Sequence, residues 1–215
     1  MTANSFPASN ARRRWMAGAL ALCVGAALPA IAAEALSEPL AGAALVQALR
    51  GGGFILYFRH ASTDFGQSDD AMSGYEDCTR QRNLTDRGRE EARRIGAAIT
   101  RLDIPIGDVL ASPFCRTRET AQLIFGRATV ATAVRGGPAV PETADRYTEL
   151  RKLLSTPPHA GTNLAIASHG NPFQALAHTT YLAEGEAAVV RPLGAQGFQI
   201  VARIPKDGWD ALTTP

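Results

Sequence analysis

The chain has 215 residues, of which 46% are hydrophobic and 20% charged. That is the make-up of a folded globular protein with one domain-sized core, and it excludes a disordered polymer or a biased repeat. Lys and Arg number 22 and Asp and Glu 20, leaving a formal charge of +2, too small for a protein held to nucleic acid by neutralising phosphates.

Residues 1–33 read as a secretory signal peptide. Arg12, Arg13 and Arg14 precede an uncharged apolar run from Trp15 to Ala33, and Ala30 and Ala32 fit the A-x-A cleavage rule. Cleavage after Ala32 or Ala33 removes three Arg and no acid, turning +2 into −1. An uncleaved anchor would need about 20 apolar residues; the run nearly reaches that length, but its Ala and Gly make it weakly hydrophobic. The Arg pair before Trp15 loosely resembles a twin-arginine signal, and Leu22 is a poor residue before a lipidated Cys23, so the export route stays open. The expected mature domain spans 34–215. It keeps Cys78 and Cys115, a pair that in an exported protein favours a disulfide. The 37-residue loop it would close corresponds to about 4 kcal/mol in the chain-entropy model.

Residues Pro39 to Arg50 place Leu40, Leu45 and Leu49 on a rough 3.6 period, and Gly51, Gly52 and Gly53 follow as a helix stop. A dinucleotide loop would need its glycines after a strand and before a helix; here the order is reversed. Phe54 to Phe58 form a continuous apolar run suited to a strand buried on both faces. A polar loop from Ala61 to Asn83 precedes Thr85, which can cap a helix reaching Leu102 with Ala92, Ile95, Ile99 and Leu102 on one face. Val109 to Ala111 make a short strand, and Ser112 and Pro113 a helix start, that helix ending near Gly126. A short strand is expected near Thr129 to Val134 and a helix near Ala144 to Leu154. Strands are expected at Asn163 to Ser168, followed by a helix start at Asn171 and Pro172, and at Phe198 to Ile204. Strands alternating with helices predict an α/β sandwich with a mainly parallel sheet.

In such sheets ligands sit at the carboxyl ends of the strands, and three expected ends carry polar residues. The first presents Arg59 and His60, the second Ser112 to Arg116, and the third His169, Gly170 and Asn171. Two of them run into helices, whose unpaired backbone N–H groups and positive dipole ends favour an anion. Arginine matches phosphate oxygens with a planar fork, and imidazole adds a nitrogen nucleophile that works near neutral pH.

Phe58, Arg59, His60 and Ala61 resemble the signature of the histidine phosphatase superfamily, also called phosphoglycerate mutase-like, whose usual form is Arg-His-Gly. Asn83, Leu84 and Thr85 with Gly88, the stretch Leu110 to Ala121 with Ser112, Pro113 and Arg116, and Ser168, His169, Gly170 match further segments in order, covering Phe54 to about Leu176. The resemblance implies a branch 1 type, three-layer α/β sandwich and a phosphomonoester hydrolase, and the signal segment makes it an exported one, periplasmic or secreted. His60 would be the nucleophile, Arg59 and Arg116 the clamp on the phosphoryl oxygens, and His169 the second histidine. No cofactor or metal is implied. The partner implied is a small-molecule phosphomonoester, with no nucleic acid, no obligate protein partner and only transient membrane contact through the signal peptide.

Ala61 stands where the family has Gly, which is tolerable if its φ is negative. The family's acidic proton donor has no clear match: Glu142 and then Glu149 fit by spacing, and Asp64 or Glu184 are further possibilities. A bridge from Cys78 to Cys115 would hold the polar loop beside Arg116 and bring Arg82 and Asn83 to the substrate. Asn171 is either a further substrate contact or only a cap. His159 and His178 read as surface or core residues, and Arg93, Arg94 and Arg118 as solvated helix charges. Glu184, Gly185 and Glu186 read as an exposed turn. H-E-x-x-H, C-x-x-C, G-x-S-x-G and the P-loop are all absent, which disfavours zinc, serine-hydrolase and nucleotide-hydrolase chemistry. Two alternatives remain: a phosphatase for a lipopolysaccharide core sugar phosphate, and a phosphate-binding module without turnover.

Overall fold

The computed structural model describes residues 39–136 and 146–213; the signal segment and Glu142 lie outside them. Along the chain come α1 (Gly42–Gly51), β1 (Ile55–Arg59), α2 (Asp86–Arg101), β2 (Ile106–Ala111), α3 (Cys115–Phe125) and β3 (Thr129–Val130). They are followed by α4 (Thr148–Ser155), β4 (Asn163–Ser168), α5 (Gly170–Ala177), β5 (Ala187–Pro192) and β6 (Phe198–Ile204). The strands form one sheet in the order β3-β2-β4-β1-β5-β6. The four from β3 to β1 are mutually parallel, and β5 and β6 add an antiparallel edge.

Alternation along β1 divides the core. Leu56 and Phe58 point to one side, where they pack with Leu45, Leu49, Ile95, Ile99 and Trp209. Ile55 and Tyr57 point to the other, against Leu150, Leu154, Ile166 and Phe173. Helices α1 and α2 therefore cover one face of the sheet and α4 and α5 the other, giving three layers. On the first face α3 lies over the small residues Ala111, Ala165 and Ala167.

The Thr85 cap stands as expected: its Oγ1 accepts from the Gly88 amide at 3.0 Å, and α2 ends at Arg101 with Leu102 as its cap. Other boundaries move. Helix α3 starts at Cys115 instead of Ser112 and Pro113, because the Ser112 hydroxyl is engaged by His169 and the Ser112 carbonyl by the Thr117 hydroxyl. The first amide of α3 is capped from outside, by Gln81 Oε1 at 2.9 Å. Helix α5 begins at Gly170 with His169 as N-cap, and His178 is its C-cap at φ 49°. The strand expected from Thr129 to Val134 stops at Val130 and turns into a short 3₁₀ segment. Strand β5 had no counterpart among the expected elements: Ala187 and Ala188 carry little β signal on their own and become strand by pairing between β1 and β6.

Candidate functional site

Strands β2, β4 and β1 are adjacent, and their carboxyl ends open onto one place. The end of β1 delivers Arg59 and His60, the end of β4 delivers His169, and α3, which follows β2, delivers Arg116 in its first turn. His60 is 1% exposed, His169 5% and Arg116 4%. The two imidazole rings meet edge to face with centroids 5.6 Å apart. The four side chains expected to act together are therefore brought together.

His60 is oriented through its Nδ1, which lies 3.0 Å from the Ala61 carbonyl oxygen. A carbonyl can only accept, so Nδ1 carries the proton and the lone pair is left on Nε2. The loop after His60 is held by the Ala61 amide donating to Thr120 Oγ1 at 3.1 Å and by Gly185 N donating to the His60 carbonyl at 2.9 Å. Among the described non-glycine residues only Asp103 and His178 have positive φ. Ala61 therefore needs no glycine backbone. A methyl on Gly88 would run into the Ser62 carbonyl, so the first turn of α2 packs directly beneath this loop. Ser62 Oγ in turn donates to Glu91 at 2.6 Å, and Glu91 pairs with Lys206 Nζ at 2.7 Å.

His169 is held by Ser112 Oγ, 2.8 Å from its Nε2. Its backbone carbonyl accepts from the buried Tyr57 hydroxyl at 2.8 Å, and burial pushes that phenol well above its usual pKa. Burial also pushes His60 down to about 3, with Arg116, Arg59 and Arg82 adding to the effect. His169 is driven well below its ordinary value by burial, by His60 and by the same three arginines. Both rings are neutral near pH 7, as a nitrogen nucleophile requires.

Three guanidinium groups act on both imidazoles, and the buried Nε of Arg59, Arg82 and Arg116 each lack a hydrogen-bond partner. Leaving a buried charged donor unmade costs about 1–3 kcal/mol or more; three at one place describe a receptor for an anion. Two of the three are anchored through Nη1. Arg59 Nη1 donates to the Leu182 carbonyl at 2.9 Å and Arg116 Nη1 to Asp69 at 3.0 Å.

The polar loop is pinned as expected, with Cys78 and Cys115 joined in a disulfide. The bridge joins the loop to the first residue of α3, next to Arg116. Asp69 binds the loop a second time, accepting from the Arg82 amide at 2.9 Å. Arg82 thereby reaches the site. The Asn83 amide nitrogen is directed inside the loop, donating to the carbonyls of Cys78 at 2.8 Å and Gln81 at 2.7 Å. Asn171 lies in the first turn of α5.

Of the carboxylates weighed as proton donors, Asp64 and Glu149 are exposed, and Asp64 accepts from the Gly66 amide nearby. Glu184 is at the site, correcting its reading as part of an exposed turn. It accepts from Thr63 Oγ1 at 2.6 Å, lies 3.5 Å from Arg59 Nη2, and stands 3.9 Å from His60 Nδ1. Glu186 is likewise buried and paired with Arg203 at 2.6 Å. Glu184 was one of four carboxylates weighed from the sequence, but its place beside Arg59 and His60 was not legible beforehand, nor were Asp69 and the Gln81 cap. The partners of Asp69, Glu184 and Gln81 are 47, 125 and 34 residues away along the chain, and no local motif marks them.

Residues 55–137 match the model of the histidine phosphatase superfamily (branch 1). No curated protein sequence matches the chain. Among solved structures, the chain is similar to the protein histidine phosphatase SixA complexed with tungstate (18% identity, TM-score 0.49, covering 72% of this chain and 97% of that one). It is also similar to phosphoserine phosphatase from Entamoeba histolytica in complex with 3-phosphoglyceric acid (16%, TM-score 0.42, covering 64% and 89%). A third is mycobacterial glucosyl-3-phosphoglycerate phosphatase (13%, TM-score 0.42, covering 69% and 96%).

Proposed function

We propose, taking the histidine phosphatase pattern of residues 55–137 as the premise, that this chain is a phosphomonoester hydrolase working through a phosphohistidine on His60. The observation that carries the reading is the convergence of three arginines, each with a buried and unpartnered Nε, on two neutral imidazoles. A phosphoryl dianion would complete those donors, with charge-assisted bonds about twice as strong as neutral ones.

In the first step the His60 Nε2 lone pair forms the P–N bond as the P–O bond to the leaving group breaks, and the leaving oxygen takes a proton. Water then attacks phosphorus, the P–N bond breaks, and His60 is regenerated with release of phosphate. Phosphoryl transfer of this kind needs in-line positioning and neutralisation of the equatorial oxygens. Arg59 and Arg116 supply the charge, with Arg82 beside them. His169, braced by Ser112, supplies a further hydrogen bond as charge develops. Glu184, on the Nδ1 side of His60, orients Arg59 and faces the ring that becomes cationic when phosphorylated.

The proposal extends to location. A disulfide at the site fits an oxidising compartment, and with the signal reading of residues 1–33 this makes the mature chain periplasmic or secreted. The test is hydrolysis of para-nitrophenyl phosphate by the mature protein beside His60→Ala, with acid quench to trap an acid-labile phosphoenzyme. Wild-type turnover, loss of at least a thousandfold in the variant and no trapped label there are expected. Equal rates would remove His60 as nucleophile. Phosphate binding by both proteins with turnover by neither would make the chain a binding module.

A further inference from the structure

Among the described residues three large hydrophobic side chains are exposed: Phe65 at 71%, Val130 at 50% and Tyr181 at 44%. Two of them lie on the arginines of the site. The Phe65 ring is 5.0 Å from Arg82 Cζ and the Tyr181 ring 5.1 Å from Arg59 Cζ. The third arginine repeats the pattern with a buried ring, Phe114, 4.4 Å from Arg116 Cζ. Phe114 also packs edge to face on His169 at 5.0 Å and on Tyr75 at 5.1 Å.

The placement of Tyr181 is built into the backbone. Its ring lies against Gly170, where any Cβ would collide with it, and Gly170 directly follows His169. Phe65 sits on the loop that the disulfide and Asp69 tie down. Isolated exposed apolar residues need no explanation, but two of three lying on the cations that act on both imidazoles make an aromatic rim.

We propose that the site selects aryl phosphomonoesters, in which an aromatic ring is carried directly on the ester oxygen, and that Phe65 and Tyr181 select that ring. The inference rests on the phosphatase reading above. A phosphate held by these guanidinium groups sits about 2.7–2.9 Å from their nitrogens. The first atoms of the ester group then fall among the rings that lie on those same arginines, inside the roughly 4.5–7 Å range over which aromatic rings pair. Phe65 and Tyr181 offer ring faces and a single hydroxyl to the ester group, which suits an aromatic ring better than a sugar or a side chain of serine type.

The chemistry at the leaving oxygen agrees. Among the described residues, the two carboxylates brought to the site, Asp69 and Glu184, accept hydrogen bonds from Arg116 and from Thr63, so neither of these is set out toward a leaving group. A phenol, with a pKa near 10, departs with far less help from a proton donor than an aliphatic alcohol does. The phenolate released as the P–O bond breaks takes its proton from water.

The experiment compares kcat/KM for phosphotyrosine, phosphoserine and glucose 6-phosphate with wild type, Phe65→Ala, Tyr181→Ala and the conservative pair Phe65→Tyr and Tyr181→Phe. Alongside it, binding of phenylphosphonate and methylphosphonate is measured by calorimetry. Phosphotyrosine should be preferred, and each Ala variant should lower the preference over phosphoserine about 2- to 12-fold, the equivalent of one aromatic pair, while the conservative variants keep it. Phenylphosphonate should bind more tightly than methylphosphonate, by a margin that falls in the Ala variants. Turnover with no aromatic preference, or a preference the Ala variants leave intact, overturns the inference and leaves the phosphatase reading standing. Preference for glucose 6-phosphate overturns it in favour of a sugar phosphate. Selective phenylphosphonate binding without hydrolysis of any ester supports the aromatic selection and overturns the phosphatase reading.

Discussion

Removing the Cys78–Cys115 bridge is expected to loosen the whole domain and the site together. The bridge closes a 37-residue loop, and in the chain-entropy model a cross-link of that span lowers the entropy of the denatured chain by about 13 cal/mol/K, or about 4 kcal/mol at 25 °C. For a chain of this size that corresponds to a fall of roughly 8–16 °C in melting midpoint. A local loss adds to it. Cys115 opens α3, its amide is capped by Gln81 from the loop, and Arg116 is the next residue. A loop released at Cys78 therefore also frees the Asp69 and Arg82 contacts of Arg116. The assay is equilibrium urea unfolding of the oxidised mature protein beside Cys78→Ala/Cys115→Ala, with KM for an aryl phosphate measured below both transitions. The double variant should unfold at lower urea, with an m-value no smaller than that of the oxidised form, and should show a raised KM. Coincident unfolding curves would refute the reasoning, for they would mean that the bridge constrains neither the denatured chain nor the loop.

The two neutral imidazoles should make the fold acid-sensitive. His60 is pushed down to about 3 and His169 well below its usual value, so between those values and the unfolded pKa of about 6.5 the unfolded chain binds more protons. Stability is accordingly complete above pH 6.5 and lost as pH falls, by about 2 kcal/mol at pH 5 for His60, with a further loss in the same direction from His169. Urea unfolding at pH 7 and pH 5 should show this loss in the wild type and a smaller one in His60→Gln/His169→Gln; equal losses would sink the assignment. Gly88→Ala tests the support beneath the nucleophile. The added methyl meets the Ser62 carbonyl, and overpacking of this kind costs about 1–3 kcal/mol, so kcat should fall through displacement of His60 while KM for an aryl phosphate changes less. A variant with unchanged kcat and unchanged melting midpoint would show that α2 does not set the position of that loop.

What could be read from the chain itself was what neighbouring residues decide among themselves. The continuous apolar run before Arg59 became β1, Asn163 to Ser168 became β4 without a shift, and Thr85 with its 3.6-period face became the capped helix α2. The reason is that backbone preference, side-chain periodicity and capping act over a few residues. Arg59, His60, Arg116 and His169 were legible because each stands at the end of such an element. The sheet order decided the rest. Only the adjacency of β2, β4 and β1 brings Ser112 onto His169, 57 residues away, and only the pairing of β5 with β1 swings the turn holding Glu184 behind His60. The Phe65 and Tyr181 rings and the Gln81 cap of α3 depend on folds of loops around that sheet. Such contacts arise from which strands pair and how helices pack over them, a property of the assembled layers that no window of local sequence contains.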